Sequence, residues 1–279
     1  MMRKWFLAVL VGLVLAPLAS AQAPGWRFHW QPGQVLTYKV EQVTAASDAL
    51  GDTKAETTTK VNNVKRWQVV AVDAAGVATL QLSLASLRIE TTTPDGEVLL
   101  FDSADPAKSN PQMREQLSRF VGQALVVLRI DARGTVLEVK DSKFGPASRY
   151  ESEPPFVVIL PEAVVAAGQS WERAYQITLE PPQGTGKKFE AAQKYVCKAV
   201  ESGVATVTLT TTVKTLPEAV ADQAPLLQMQ PEGEIVFDTQ TGTLRSARLQ
   251  IDKELKGHQG EGSSYRFQSK YTEEYVGDK

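Results

Sequence analysis

The chain predicts a mainly β protein: a large curved antiparallel sheet or half-barrel, built from two duplicated β modules, with one short covering helix near residues 110–123. Three observations carry that expectation. Apolar and polar residues alternate through most of the chain, the signature of half-buried strands. The tetrapeptide Gly-Val-Ala-Thr occurs twice, starting at Gly76 and at Gly203, each time after a turn. Three strand-and-turn segments around it recur in the same order in both halves.

Each strand follows from its own alternation. In "VATLQLSL", Ala78, Leu80, Leu82 and Leu84 share one face; in "VATVTLTTTV", Ala205, Val207, Leu209 and Val213 share one face, with threonines opposite. At the offset of 127, Leu80 falls on Val207 and Leu82 on Leu209, so the inward face keeps its register. A slip of one residue would turn every apolar side chain outward. The preceding strands match as well: Trp67, Val69 and Ala71 alternate in the first copy, and Tyr195, Cys197 and Ala199 in the second. "PGQVLTYKVEQVT" corresponds to "AAGQSWERAYQIT", with Gly33 on Gly168, and "LRIDARGTVLEVK" to "IVFDTQTGTLRSARL", with Gly134 on Gly242. Asp131 and Asp238 open the turns of that last pair, where a carboxylate commonly bonds its own backbone.

The first copy is longer between its second and third elements, and there a helix is expected. Asn110 can cap it, Pro111 suits its first turn, and Met113, Leu117 and Phe120 follow at spacings of four and three. The ends of the chain carry aromatic rows: Trp26, Phe28 and Trp30 in "WRFHW", and Tyr265, Phe267, Tyr271 and Tyr275 in the last strand. Such rows pack over a sheet face, so the end strands are expected to cover or close the curved sheet and remove an exposed edge.

Residues 1–21 read as a secretory signal peptide: Arg3 and Lys4, then the apolar "WFLAVLVGLVLA", then small residues to Ala21. The apolar run breaks at Pro17, short of the roughly 20 residues that span a bilayer. The expectation is an exported protein, periplasmic or extracellular, with no transmembrane segment after cleavage and two modules, 22–150 and 151–279, packed as one unit. The mature chain is mildly acidic and lacks a basic block, which argues against nucleic acid. Cys197 is the single cysteine, so no intrachain disulfide forms, and its apolar setting reads as a small buried hydrophobe.

Catalytic signatures are missing. His29 and His258 are the two histidines, one near each end, so neither a His/Cys metal cluster nor a Ser-His-Asp arrangement is evident. No GxSxG, P-loop or GxGxxG occurs. Glu151, Glu153 and Glu162 could in principle serve a carboxylate-dependent hydrolase. The reading is a non-enzymatic protein without metal or cofactor.

The segment "LPEAVVAAGQSW" (Leu160, Pro161, Glu162, Val165, Gly168, Trp171), taken with "PGQVLTY", resembles uncharacterised exported bacterial β-rich proteins, in which Gly-Gln or Gly-Asp turns precede long strands. That resemblance implies an envelope protein of unknown function and transfers no catalytic residue. At the level of fold, a curved sheet with a covering helix is similar to periplasmic lipoprotein carriers and other lipid-binding half-barrels. The expected function is to bind a lipid or another apolar molecule on the concave face, through Trp67, Leu80, Leu82, Trp171, Tyr195, Val207 and Leu209. The alternative is a structural or protein-interaction module of the envelope, with another envelope protein as partner.

Overall fold

The computed structural model describes residues 25–147, 150, 158–181, 184 and 186–278; the expected signal peptide lies outside them. The strands are β1 (Val35–Leu50), β2 (Thr53–Val72), β3 (Ala78–Thr92), β4 (Val98–Asp102), β5 (Ala124–Ile130), β6 (Val136–Ser142), β7 (Ser170–Leu179), β8 (Lys187–Glu201), β9 (Val204–Val213), β10 (Glu232–Asp238), β11 (Thr243–Lys256) and β12 (Ser263–Asp278). Two short helices, α1 (Pro111–Leu117) and α2 (Ala224–Leu227), interrupt them. All twelve strands belong to one open antiparallel sheet in the order β6-β5-β3-β2-β1-β12-β11-β10-β9-β8-β7, with β4 hydrogen-bonded beside β3.

The two halves repeat in hydrogen bonds as well as in letters. The Gly33 amide donates to the Val69 carbonyl at 2.8 Å and the Val69 amide to the Gln34 carbonyl at 2.8 Å. At the matching positions Gly168 donates to Cys197 at 2.7 Å and Cys197 to Gln169 at 2.9 Å. Both glycines have positive φ, 84° and 86°, which a side chain would strain. A register shift between Val69 and Ala71 recurs between Cys197 and Ala199. Strands β1, β2, β3, β5 and β6 thus correspond to β7 through β11, and β12 has no counterpart. It lies between the two sets of five, paired with β1 on one side and β11 on the other.

This corrects one expectation. The last strand closes no edge but occupies the middle of the sheet, and its aromatic row faces the interior there. "WRFHW" is not a strand either: residues 25–30 run outside the sheet as extended chain. The ends of the strand order are β6 and β7, and β4, paired only with β3, is an edge strand as well.

The path of this segment reveals the curvature. The Phe28 amide donates to Ala132 in the β5–β6 turn at 2.8 Å, and the next amide, His29, to Gly242 in the β10–β11 turn at 3.2 Å. In a flat sheet those turns would stand about 30 Å apart, six strand spacings of roughly 4.8 Å. Two adjacent residues reach both, so the sheet curls until its halves face each other. Trp26 and Phe28 fill the space between, with Val158, Ile159 and Leu160 from the β6–β7 connector, in a single core shared by β2, β3, β5, β8, β9 and β10. His29 itself points out to solvent, as its place opposite the aromatic row predicts.

Gly134 marks how close the packing is. Its φ is 94°, and a Cβ there would sit 2.7 Å from the Val158 carbonyl oxygen and 3.0 Å from the Phe28 ring. Gly134→Ala is expected to lower stability by about 2 kcal/mol in a urea titration, whereas Gly76→Ala, with open space around its Cβ, loses only the cost of its backbone angle.

The expected helix is present. Asn110 Oδ1 accepts from the amides of Gln112 and Met113 at 3.0 and 3.2 Å, Pro111 occupies the first turn, and a 3-10 turn (Ser118–Phe120) extends it. It buries none of its own residues, and Phe120 beyond it is what packs against the core. The second half has a short helix of its own: α2 presses Leu226 onto Ile177, Leu179 and Phe189, and Leu227 onto Ile251 and Phe267.

Candidate functional site

Alternation places the seven expected ligand residues on one face, and the structure brings them together. Trp67, Leu80, Leu82, Tyr195, Val207 and Leu209 are buried, and Trp171 is half-buried at the start of β7. Trp171 stacks on Tyr195 with ring centres 5.4 Å apart, meets Trp26 edge-on at 5.9 Å, and donates from Nε1 to the Ile159 carbonyl at 2.5 Å. Tyr195 accepts from the Ile159 amide at 3.4 Å and donates to Gln193 Oε1 at 2.7 Å, while Arg173 Nη1 donates to the same oxygen at 3.2 Å. Burial pushes the Tyr195 phenol well above its ordinary pKa, against the pull of Arg173. These residues pack against Trp26, Phe28 and the connector and form the floor of the concave side. Cys197 lies in the same core, fully buried, and burial raises its thiol pKa.

Space is found elsewhere, at the far end of β7 and β8. A cavity of about 790 Å³ opens there, walled by Leu179, Phe189, Leu216, Pro217, Ala219 and Pro225. Lys187, Glu218 and Asp222 stand at its mouth, all exposed. Leu179 and Phe189 point inward because they continue the parity of Ile177 and Ala191 along their strands. The opposite wall is the segment from Leu216 to Pro225, which ends in α2. Gln223 Nε2 donates to the Pro217 carbonyl at 3.0 Å and holds that segment as a compact loop.

The concave face also carries a buried charge cluster. Lys65 of β2 and Glu273 of β12 are 5% and 0% exposed, with Nζ 3.9 Å from Oε1. Tyr271 joins them: Lys65 Nζ donates to its hydroxyl at 3.2 Å, and that hydroxyl donates to Glu273 Oε2 at 2.8 Å. The cluster reaches across β1, which lies between the two strands. Its signal was in the sequence. Lys65 has the parity of Trp67 and Val69, and Glu273 that of Tyr271 and Tyr275, so each occupies an inward position in an otherwise apolar or aromatic row.

The turn aspartates act as their spacing predicts. Asp131 Oδ1 accepts from Arg133 and Thr135 amides at 2.9 and 2.8 Å. Asp238 Oδ1 accepts from Gln240 and Thr241, both at 2.9 Å, and its other oxygen from Arg245 Nε at 3.0 Å. Burial works to raise the Asp238 carboxyl, but those two amides and Arg245 outweigh it and hold the group below the ordinary carboxylate range. The stability it supplies is therefore full above the ordinary value of 3.8 and lost as the pH falls through the lowered one.

Of the three glutamates considered for acid–base work, Glu162 is 83% exposed and pairs with Arg133 at 2.9 Å. Glu151 and Glu153 lie outside the described residues. Among the described residues no group of three His, Cys, Asp or Glu is placed to hold a metal, and no helix is long and apolar enough to cross a membrane.

No protein-family model and no curated protein matches the chain. Among solved structures, similarity extends to lipovitellin, in a structure concerned with its lipid–protein interactions, with a TM-score of 0.45 and 14% identity over 90% of this chain. This chain spans 26% of that one. DynF, from the dynemicin biosynthesis pathway of Micromonospora chersina, aligns at 9% identity and a TM-score of 0.21, covering 97% of this chain and 94% of DynF. A DUF1329 family protein from Desulfovibrio piger aligns at 10% identity and a TM-score of 0.17, covering 88% of this chain and 86% of its own. At these values none of the three carries a function across.

Proposed function

We propose that this is an exported, non-enzymatic binding protein that holds an apolar molecule, such as a lipid, on the concave side of its sheet. The observation that carries the reading is the cavity of about 790 Å³ against Leu179 and Phe189, a volume within the roughly 300–1,000 Å³ of small-molecule sites. Leu179, Phe189, Leu216, Pro217, Ala219 and Pro225 supply its apolar surface, and Lys187, Glu218, Asp222 and backbone groups make about half of its lining polar. In this reading the two halves are duplicated modules packed as one unit. The core around Trp67 and Tyr195 sets the curvature, and the second half, where α2 replaces the longer insertion of the first, keeps the space.

The test is extraction of protein purified from its native host, followed by mass spectrometry, with a neutral apolar dye, N-phenyl-1-naphthylamine, as the probe in solution. A bound apolar molecule, or dye binding that Phe189→Asp weakens at least tenfold, is the expected result. Protein free of ligand that binds no dye would overturn the reading.

One observation favours the alternative of an envelope interaction module. The sheet is open, and β6 and β7 present edges. Crosslinking to a specific envelope protein in cells, without any small ligand, is what that alternative requires.

A further inference from the structure

We infer that the cavity beside the β10–β11 turn binds the carboxylate of a small organic acid, with Arg245 as the receiving group. The site is separate from the apolar cavity, and the inference stands apart from the lipid reading. The cavity has a volume of about 350 Å³ and is lined by Asp238, Thr241, Thr243, Arg245 and Tyr275, a size within the range of small-molecule sites. Arg245 reaches it from a β-bulge. Val236 pairs with Ser246 and Phe237 with Leu244, so Arg245 is the extra residue on β11, and a bulge re-aims the side chain that it carries. The first half has the same bulge: Arg129 pairs with Glu138 and Ile130 with Val136, which makes Leu137 the extra residue on β6. Leu137 is exposed, and Asp131 holds its turn through Oδ1 without an arginine. The two halves share the backbone device and differ in what it presents, so the turn itself does not require Arg245.

The geometry gives Arg245 a different task. Asp238 is buried, and its Oδ2 accepts from both Nε and Nη2 of Arg245 while its Oδ1 is held by two amides. The carboxylate is thus fixed by the turn, and the guanidinium is fixed on the carboxylate. Nη1 has no partner among the described residues. A guanidinium clamped along one edge keeps donors for the two oxygens of a second carboxylate, and holding it in advance spares the cost of ordering a long side chain on binding. The Thr241 hydroxyl, in the same lining, also makes no hydrogen bond among the described residues and adds a donor. Tyr275 supplies a ring against which the carbon body of the acid packs. An alcohol of the same shape would lose the charge, and an amine would meet the guanidinium with like charge.

Titration of the isotope-labelled protein with benzoate, benzyl alcohol and benzylamine, followed through its amide NMR signals, tests this. Benzoate is expected to shift Thr241, Gly242 and Thr243 to saturation and to bind about fivefold tighter than benzyl alcohol, with benzylamine no better than the alcohol. Arg245→Leu, which installs the side chain of the first half, is expected to erase that advantage. Arg245→Lys, which keeps the charge without the fork, is expected to reduce it. Inorganic phosphate is expected to displace benzoate only at about tenfold higher concentration, because it has no ring to pack on Tyr275. Equal binding of benzoate and benzyl alcohol by the wild type, a comparison that needs no variant, overturns the assignment. So does an unchanged advantage in Arg245→Leu, or the absence of shifts at the turn with all three compounds. Displacement by phosphate at equal concentration overturns the organic acid in favour of a bare oxyanion.

Discussion

Lys65→Met is expected to destabilise the protein by about 3–5 kcal/mol, because it removes the ammonium that lies 3.9 Å from the buried Glu273 carboxylate. Glu273 is fully buried and Lys65 nearly so, and the Tyr271 hydroxyl donates one hydrogen bond to the same carboxylate. The double variant Lys65→Met/Glu273→Leu is expected to recover most of the loss, since replacing both members of a buried pair with apolar groups is often neutral or stabilising. Guanidinium titrations of the wild type, the single and the double variant measure the difference. A single variant as stable as the wild type would mean that water or another group compensates Glu273, and the cluster would then be no closed unit.

Trp67→Ala is expected to cost about 3–5 kcal/mol, enough to lower the melting temperature by roughly 10 °C in a domain of this size. Trp67 is wholly buried in the floor, opposite Leu36 on β1 and Leu82 on β3. The same variant decides between floor and ligand wall. If Trp67 fills the core, as its packing indicates, the surviving folded protein binds the apolar dye as before. A variant with wild-type stability and lost dye binding would return the ligand to the Trp67–Tyr195 face.

The register of the inward rows was readable because it needs only parity. Leu80 and Val207, or Val69 and Cys197, lie at equivalent places because an alternating strand has two faces and one of them must avoid water. The helix cap at Asn110 was readable for a similar local reason. The place of β12 was not. Its aromatic alternation says that one face is buried, but the choice between an edge and the centre depends on which partners are left once five strands have paired on each side. The cavity was hidden for another reason. Leu179 and Phe189 resemble any other inward pair, and only the short loop from Leu216, which fails to fill the space above them, makes them a wall. Lys65 and Glu273 show the opposite case. Parity placed both of them inside, and the charge at those positions was the signal that a polar cluster sits in the core.

The seam between β1 and β12 has a consequence for the order of assembly. It joins Leu36 to Asp278 and Leu50 to Ser263, partners drawn from opposite ends of the chain. Each half can zip its own neighbouring hairpins early, but the central ladder waits for the final segment to emerge, and contacts so distant along the chain make for slow folding. Until then the tyrosine row of the last strand and the inner edge of the first stay without each other, and the newborn chain remains open.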